Sequence, residues 1–142
     1  MSEISIKGFN EVKSKLAAEV QAMKRRSMQG IIQAEILIRR DMEVTPPLIP
    51  IDTNNLRTSW FTANVWRNGN PLGIMGFSAN YALWVHENME ADWVTPYYRY
   101  GPGKGRKKLV KRRPGAGPKF LEACLNRNHD KILKLIGGET GL

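Results

Sequence analysis

A chain of 142 residues, 42 % hydrophobic and 25 % charged, is long enough to bury a core and too apolar to be disordered. Its formal net charge of +9 is not spread evenly: residues 93–121 hold nine bases and no acid, and the rest of the chain is balanced. No apolar run approaches the length of a membrane span, the first residues do not read as a secretory signal, and a single cysteine rules out an internal disulfide, so a reducing cytoplasm is expected.

In residues 9–44 apolar side chains recur at helical spacing, through Phe9, Val12, Leu16, Val20 and Met23, then Ile31, Ala34, Ile38 and Met42. Glu11, Lys15, Glu19 and Lys24 fill the other face. Gly30 weakens the middle by about 1 kcal/mol relative to alanine. Unbroken, this helix is roughly 50 Å long, while a domain of this size has a radius of gyration of about 14–15 Å. Either Gly30 interrupts the helix or one end lies against another subunit. Three prolines in VTPPLIPID then stop the helix and hold the chain extended.

Asp52 or Thr53 is placed to cap a short turn that runs through Leu56. Residues 59–66 alternate as a strand, RNGN reads as a hairpin turn, and residues 72–77 return as the second strand. Residues 80–87 predict a short helix with Tyr81, Trp84 and Val85 on one side. Residues 88–117, rich in Gly, Pro and Lys/Arg, predict a basic loop or hairpin arm, with extended pieces at VTPYYRY and KKLVKR around a GPGKG turn. Gly117-Pro118 opens the last helix, with proline at its first position. Phe120, Leu121, Cys124, Leu125, Ile132, Leu135 and Ile136 form its buried stripe, and the tail 137–142 is expected to fray. The order is that of a single α+β domain: a long N-terminal helix, a small antiparallel sheet built from hairpins, a short middle helix, and a C-terminal helix packed on the sheet.

The residues that could carry chemistry do not assemble into a catalytic pattern. His86-Glu87 begins like a zinc-protease helix, which needs a second histidine four residues after the first, and position 90 is Glu90. A divalent-ion site from His86, Glu90 and Asp92 competes with a plainer reading, polar residues on the outer side of a short helix, and the plainer one is adopted. GPGKG lacks the lysine and hydroxyl that follow the last glycine of a phosphate loop. Ser59 and Ser78 have no nucleophile-elbow motif, and Cys124 on an apolar helical face reads as a core thiol. No catalytic residue, metal or cofactor is expected. The basic arm is more telling. Arg99, Lys104, Arg106, Lys107, Lys108, Lys111, Arg112 and Arg113 are interleaved with aromatic residues, which suits nucleic-acid backbones and bases or an acidic protein surface. A solvated loop is the plain alternative, but the crowded bases repel one another and a counter-charged partner relieves that repulsion.

Three stretches, PIDTNNLRTSW (50–60), NYALWVHE (80–87) and KFLEACL (119–125), together and in this order resemble the head–tail joining, or tail-completion, proteins of tailed bacteriophages. PIDTNNLRTSW (50–60) is similar to that family's proline, apolar residue, Asp-Thr-Gly, then Leu-Arg-x-Ser, carried here by Asp52, Thr53, Leu56, Arg57 and Ser59. NYALWVHE (80–87) is similar to its Tyr-Ala, apolar pair and His/Glu end, carried by Tyr81, Ala82, Trp84, His86 and Glu87, and KFLEACL (119–125) to the start of its last helix. Asn54 and Asn88 stand where the family has glycine, and asparagine is the next most tolerant of a left-handed backbone. The arm is longer than the family leads one to expect.

The resemblance implies a virion protein, made in the host bacterial cytoplasm, that forms a ring of six copies in the neck. Its neighbours would be a connector or adaptor on the head side and the tail tube or terminator on the other, with DNA in the channel and no membrane. Tyr81, Trp84 and Val85 would pack the short helix on the sheet, and His86, Glu87 and Glu90 would face a neighbouring subunit. Asp52 would cap its turn and Arg57 would pair with a carboxylate. The ring would join through sheet edges and the long helix. A stand-alone nucleic-acid-binding module that uses the arm is the alternative.

Overall fold

The computed structural model describes the backbone of residues 2–51, 55–92, 95–100, 107–110 and 113–137, and of these the side chains of all but 2–6, 97–100, 107, 108 and 110. The chain runs through α1 (Ser2–Val44), α2 (Asn55–Thr58), β1 (Trp60–Arg67), β2 (Asn70–Phe77), α3 (Ala82–Glu87), β3 (Tyr97–Tyr100), β4 (Lys107–Val110) and α4 (Phe120–Gly137). Among the described residues the strands form two two-stranded sheets, β1–β2 and β3–β4, and the architecture is α+β as the sequence predicts. Asp52, Thr53, the GPGKG turn and the tail beyond Gly137 lie outside the described residues.

The fold groups into two compact units. One draws on Met1–Ala34, Asn64–Gly73 and Asp130–Leu142, the other on Glu35–Ala63 and Ile74–His129. In the first unit α1 begins at Ser2, earlier than the periodicity indicates, and is not interrupted at Gly30. The glycine has a different purpose. A Cβ at position 30 would lie 1.9 Å from the carbonyl oxygen of Leu135 and 2.9 Å from the Cα of Ile136, so only glycine lets the backbone of α4 come this close. The hairpin turn is as expected: Asn68 and Gly69 have φ of 52° and 76°, the pair of positive values that a tight two-residue turn requires.

The core of the second unit is made by Ile38 and Met42 of α1, Ile49, Leu56, Val85, Ala116, and Phe120 and Cys124 of α4. Phe120 carries the helix onto the sheet: its ring meets Phe77 edge-on at 5.5 Å, and Phe77 meets Trp60 at 5.2 Å. The helix starts at Phe120 rather than at Pro118, because Lys119 takes a left-handed φ of 57° and its N–H donates to the carbonyl of His86 at 2.8 Å. Its buried stripe is Phe120, Cys124 and Asn128, each a turn apart; Leu125, expected inside, is exposed. After α1 the Pro46-Pro47 bond is cis, and Leu48 bridges in parallel to Ala116, with Leu48 N–H donating to Gly115 O and Gly117 N–H to Leu48 O. β3 and β4 form the antiparallel hairpin predicted for the arm, in the register Tyr97–Val110, Tyr98–Leu109, Arg99–Lys108 and Tyr100–Lys107.

Candidate functional site

Helical spacing puts Arg39 and Glu43 one turn apart on α1, and their ion pair at 2.7 Å is the local seed of the first cluster. The short α2 adds Arg57, whose Nε donates to Glu43 Oε1 at 2.8 Å. Arg113, just after the basic hairpin, brings its Nη1 to 2.7 Å from Glu43 Oε2 and donates from Nη2 to the Glu43 carbonyl. Arg39 also donates to the Arg57 carbonyl at 3.0 Å. Three guanidiniums thus converge on one carboxylate whose side chain is 17 % exposed. Burial pushes the Glu43 pKa up and is the largest single influence. The hydrogen bond from Arg57 and the charges of Arg39 and Arg113 together outweigh it and hold the carboxyl below its ordinary value.

Glu43 is the carboxylate that pairs with Arg57. The rest of the Leu-Arg-x-Ser stretch is structural in the same sense. Leu56 is buried, Ser59 Oγ donates to the Leu56 carbonyl at 2.7 Å to close the short helix, and Ser78 N–H donates to Ser59 O where the hairpin opens. Arg113, read from sequence as part of a partner-binding arm, is instead engaged inside the fold with its side chain 18 % exposed. The side chains of Arg99, Lys104, Arg106, Lys107, Lys108, Lys111 and Arg112 lie outside the described residues.

A second cluster joins the other two stretches. His86 stacks edge-on against Phe120 at 5.0 Å. Its Nε2 accepts from the Glu122 N–H at 3.4 Å, so in the neutral ring the proton on Nδ1 is donated to Glu87 Oε1 at 2.7 Å. Lys119 pairs with Glu87 and, at 3.1 Å, with Glu122. The bonds from Lys119 and then His86 keep the Glu87 carboxyl below its ordinary value. His86 and Glu87, expected to face a neighbouring subunit, are therefore bound to the start of α4. Glu90 is exposed. The expectation for Tyr81 and Trp84 also changes. Val85 alone of the three is buried, while Trp84 is 62 % exposed beside Leu83 at 74 % and Met89 at 67 %. A six-residue helix can bury only one of its rows, and Val85 occupies it.

A third group was not foreseen. Asp41 takes ion pairs from Arg127 and accepts from Asn128 Nδ2 at 2.9 Å. Cys124, fully buried beside it, donates to Ile38 O at 3.5 Å. Burial, and then the hydrogen bond and charge of Asp41, push the thiol up to about 12. The group holds a protonated sulfur, unsuited to nucleophilic attack at neutral pH. The signal for Asp41–Arg127 is absent from sequence, because the partners are 86 residues apart. Among the described residues no group of three or more His, Cys, Asp or Glu is placed to hold a metal, and no helix is long and apolar enough to cross a membrane. The chain matches no protein-family model, no curated protein and no solved structure.

Proposed function

We propose that this chain is a non-catalytic structural protein of a phage virion, a six-copy ring in the neck that joins the portal or connector side of the DNA-filled head to the tail. The observation that carries the reading is how the resembling stretches are used. Arg57 of the first is bound to Glu43, and His86 and Glu87 of the second are bound to Lys119 and Glu122 of the third. The polar residues that look most like a reactive site are thus spent on holding elements together, a use that suits a scaffold. The exposed Leu83, Trp84 and Met89 are apolar side chains that a neighbouring subunit could cover. The positive arm suits an acidic neighbour in the neck or DNA in its channel.

The test is made on particles. Arg113 belongs to the Glu43 cluster and is left alone, while Lys104, Lys107, Lys108 and Lys111 are replaced together by serine. The expected outcome is a folded chain, unjoined heads and tails, and six-fold density missing from the neck in electron micrographs. Normally joined particles would remove the arm from the joining role, and unaltered particles whose neck lacks this chain would end the reading.

The nucleic-acid module keeps one observation in its favour. The register sets Arg99 directly opposite Lys108, and like charges opposite one another destabilise a hairpin unless an anion lies against them. Tight DNA binding by the isolated chain, falling steeply with salt while the four-serine variant still joins particles, would select that reading instead.

A further inference from the structure

The apolar face of α1 meets two different environments within one unit. At Gly30 and Ala34 it is buried, Gly30 directly against the backbone of α4. Toward the N-terminus the same face is open: Phe9 is 67 % exposed, Val12 57 %, Leu16 62 % and Val20 46 %, with Met23 half-buried. At about 100° per residue, Phe9, Val12, Leu16, Val20 and Met23 fall within a sector of roughly 80° that also contains positions 30 and 34. A helix this long that carries Gly8, Val12 and Val20 gains little from intrinsic propensity and is stabilised chiefly by covering its apolar stripe.

We infer that the cover is a second copy of this chain, with the two α1 helices paired antiparallel about a two-fold axis at Leu16. The spacing points to it. The five residues are separated by 3, 4, 4 and 3 positions, a pattern that reads the same in both directions. Reversal about Leu16 therefore sets Phe9 against Met23 and Val12 against Val20, and brings Leu16 to its own counterpart. Charge agrees with it. On one flank of the stripe Glu19, which its own chain pairs with Arg26 at 3.0 Å, lies about 3 Å along the axis from Lys15 of the second copy, twice per dimer. The basic run Lys24, Arg25 and Arg26 is kept about 27 Å from its counterpart at 1.5 Å per residue, well beyond a Debye length of about 8 Å; parallel pairing would gather all six bases. The register also brings Ser2 of the second copy level with Gly30, where α4 takes over the face.

This contact is isologous, whereas the subunits of a six-membered ring join head to tail. The dimer is therefore the form of the free chain. It does not rest on the neck reading, which is judged on particles, and either can fail alone.

The experiment uses the isolated full-length chain. Its mass in solution is expected to be that of a dimer. Leu16→Cys should give a covalent dimer under mild oxidation, with the buried Cys124 silent, and Glu11→Cys on the opposite face should not. Phe9→Cys and Met23→Cys should cross-link to each other when mixed and neither to itself. Leu16→Glu, at a position exposed in the single chain, should keep the fold and weaken the dimer about 100-fold or more by placing a charge on each side of the axis. A monomer at every concentration would overturn the proposal, and so would Phe9→Cys chains cross-linking among themselves.

Discussion

Glu43 and Cys124 are two side chains whose surroundings alter their acid–base behaviour in opposite senses. For Glu43, arginine contacts outweigh burial and the folded pKa lies below the unfolded one. Its contribution to stability is present above the unfolded value of about 4.3 and is lost as pH falls through the folded one. Asp41 acts in the same direction: burial raises it, and the bonds from Arg127, Cys124 and Thr45 bring it below its ordinary value. The melting temperature should thus be flat near neutrality and fall below about pH 4. Glu43→Gln should cost about 2 kcal/mol at pH 7, reduced from the buried-pair range by the partial exposure of its arginines, and should flatten that acid slope; thermal melts from pH 7 to 3 check both. For Cys124, a pKa of about 12 lies above that of a free thiol near 8.5, so at pH 8 a colorimetric thiol reagent should react ~1000-fold more slowly with the native chain than in denaturant. Rapid native labelling would contradict the buried, protonated sulfur.

Among the elements, the clearest lesson comes from Gly30. Propensity alone makes it a weak point in the helix and favours alanine by about 1 kcal/mol. The contact with Leu135 decides the sign the other way, since a carbonyl 1.9 Å from a new Cβ is backbone and cannot swing aside. Gly30→Ala should therefore destabilise by about 1–3 kcal/mol, read as a lower urea midpoint; a rise would mean that α4 does not approach so closely. The β1–β2 hairpin was legible because Asn68-Gly69 states its turn locally. The start of α4 was not, since Pro118 signals a first helical position while a hydrogen bond to His86, distant in sequence, sets Lys119 outside the helix. The short α3 misled for a related reason: its six residues have three bulky apolar side chains, and spacing could not say that Val85 would be buried and Trp84 exposed.

At the scale of the whole chain, charge separates into two kinds that composition does not distinguish. Most bases of the arm belong to the stretch around the β3–β4 hairpin, but Arg113 at its end is drawn into the fold by Glu43, 70 residues earlier. The particle test is therefore specific only if Arg113 is spared, and the dimer test concerns a surface far along the sequence from the arm. Length, the helical period of α1, the Asn-Gly turn, the α+β order and the acid-free basic stretch are local properties, set by backbone sterics and the spacing of apolar residues, and the sequence by itself determined them. Which polar residues would be bound internally, that Gly30 is a contact rather than a break, and which side chains would stay outside were decided only by tertiary structure, because each depends on groups brought together across tens of residues, where spacing along the chain carries no information about distance in space.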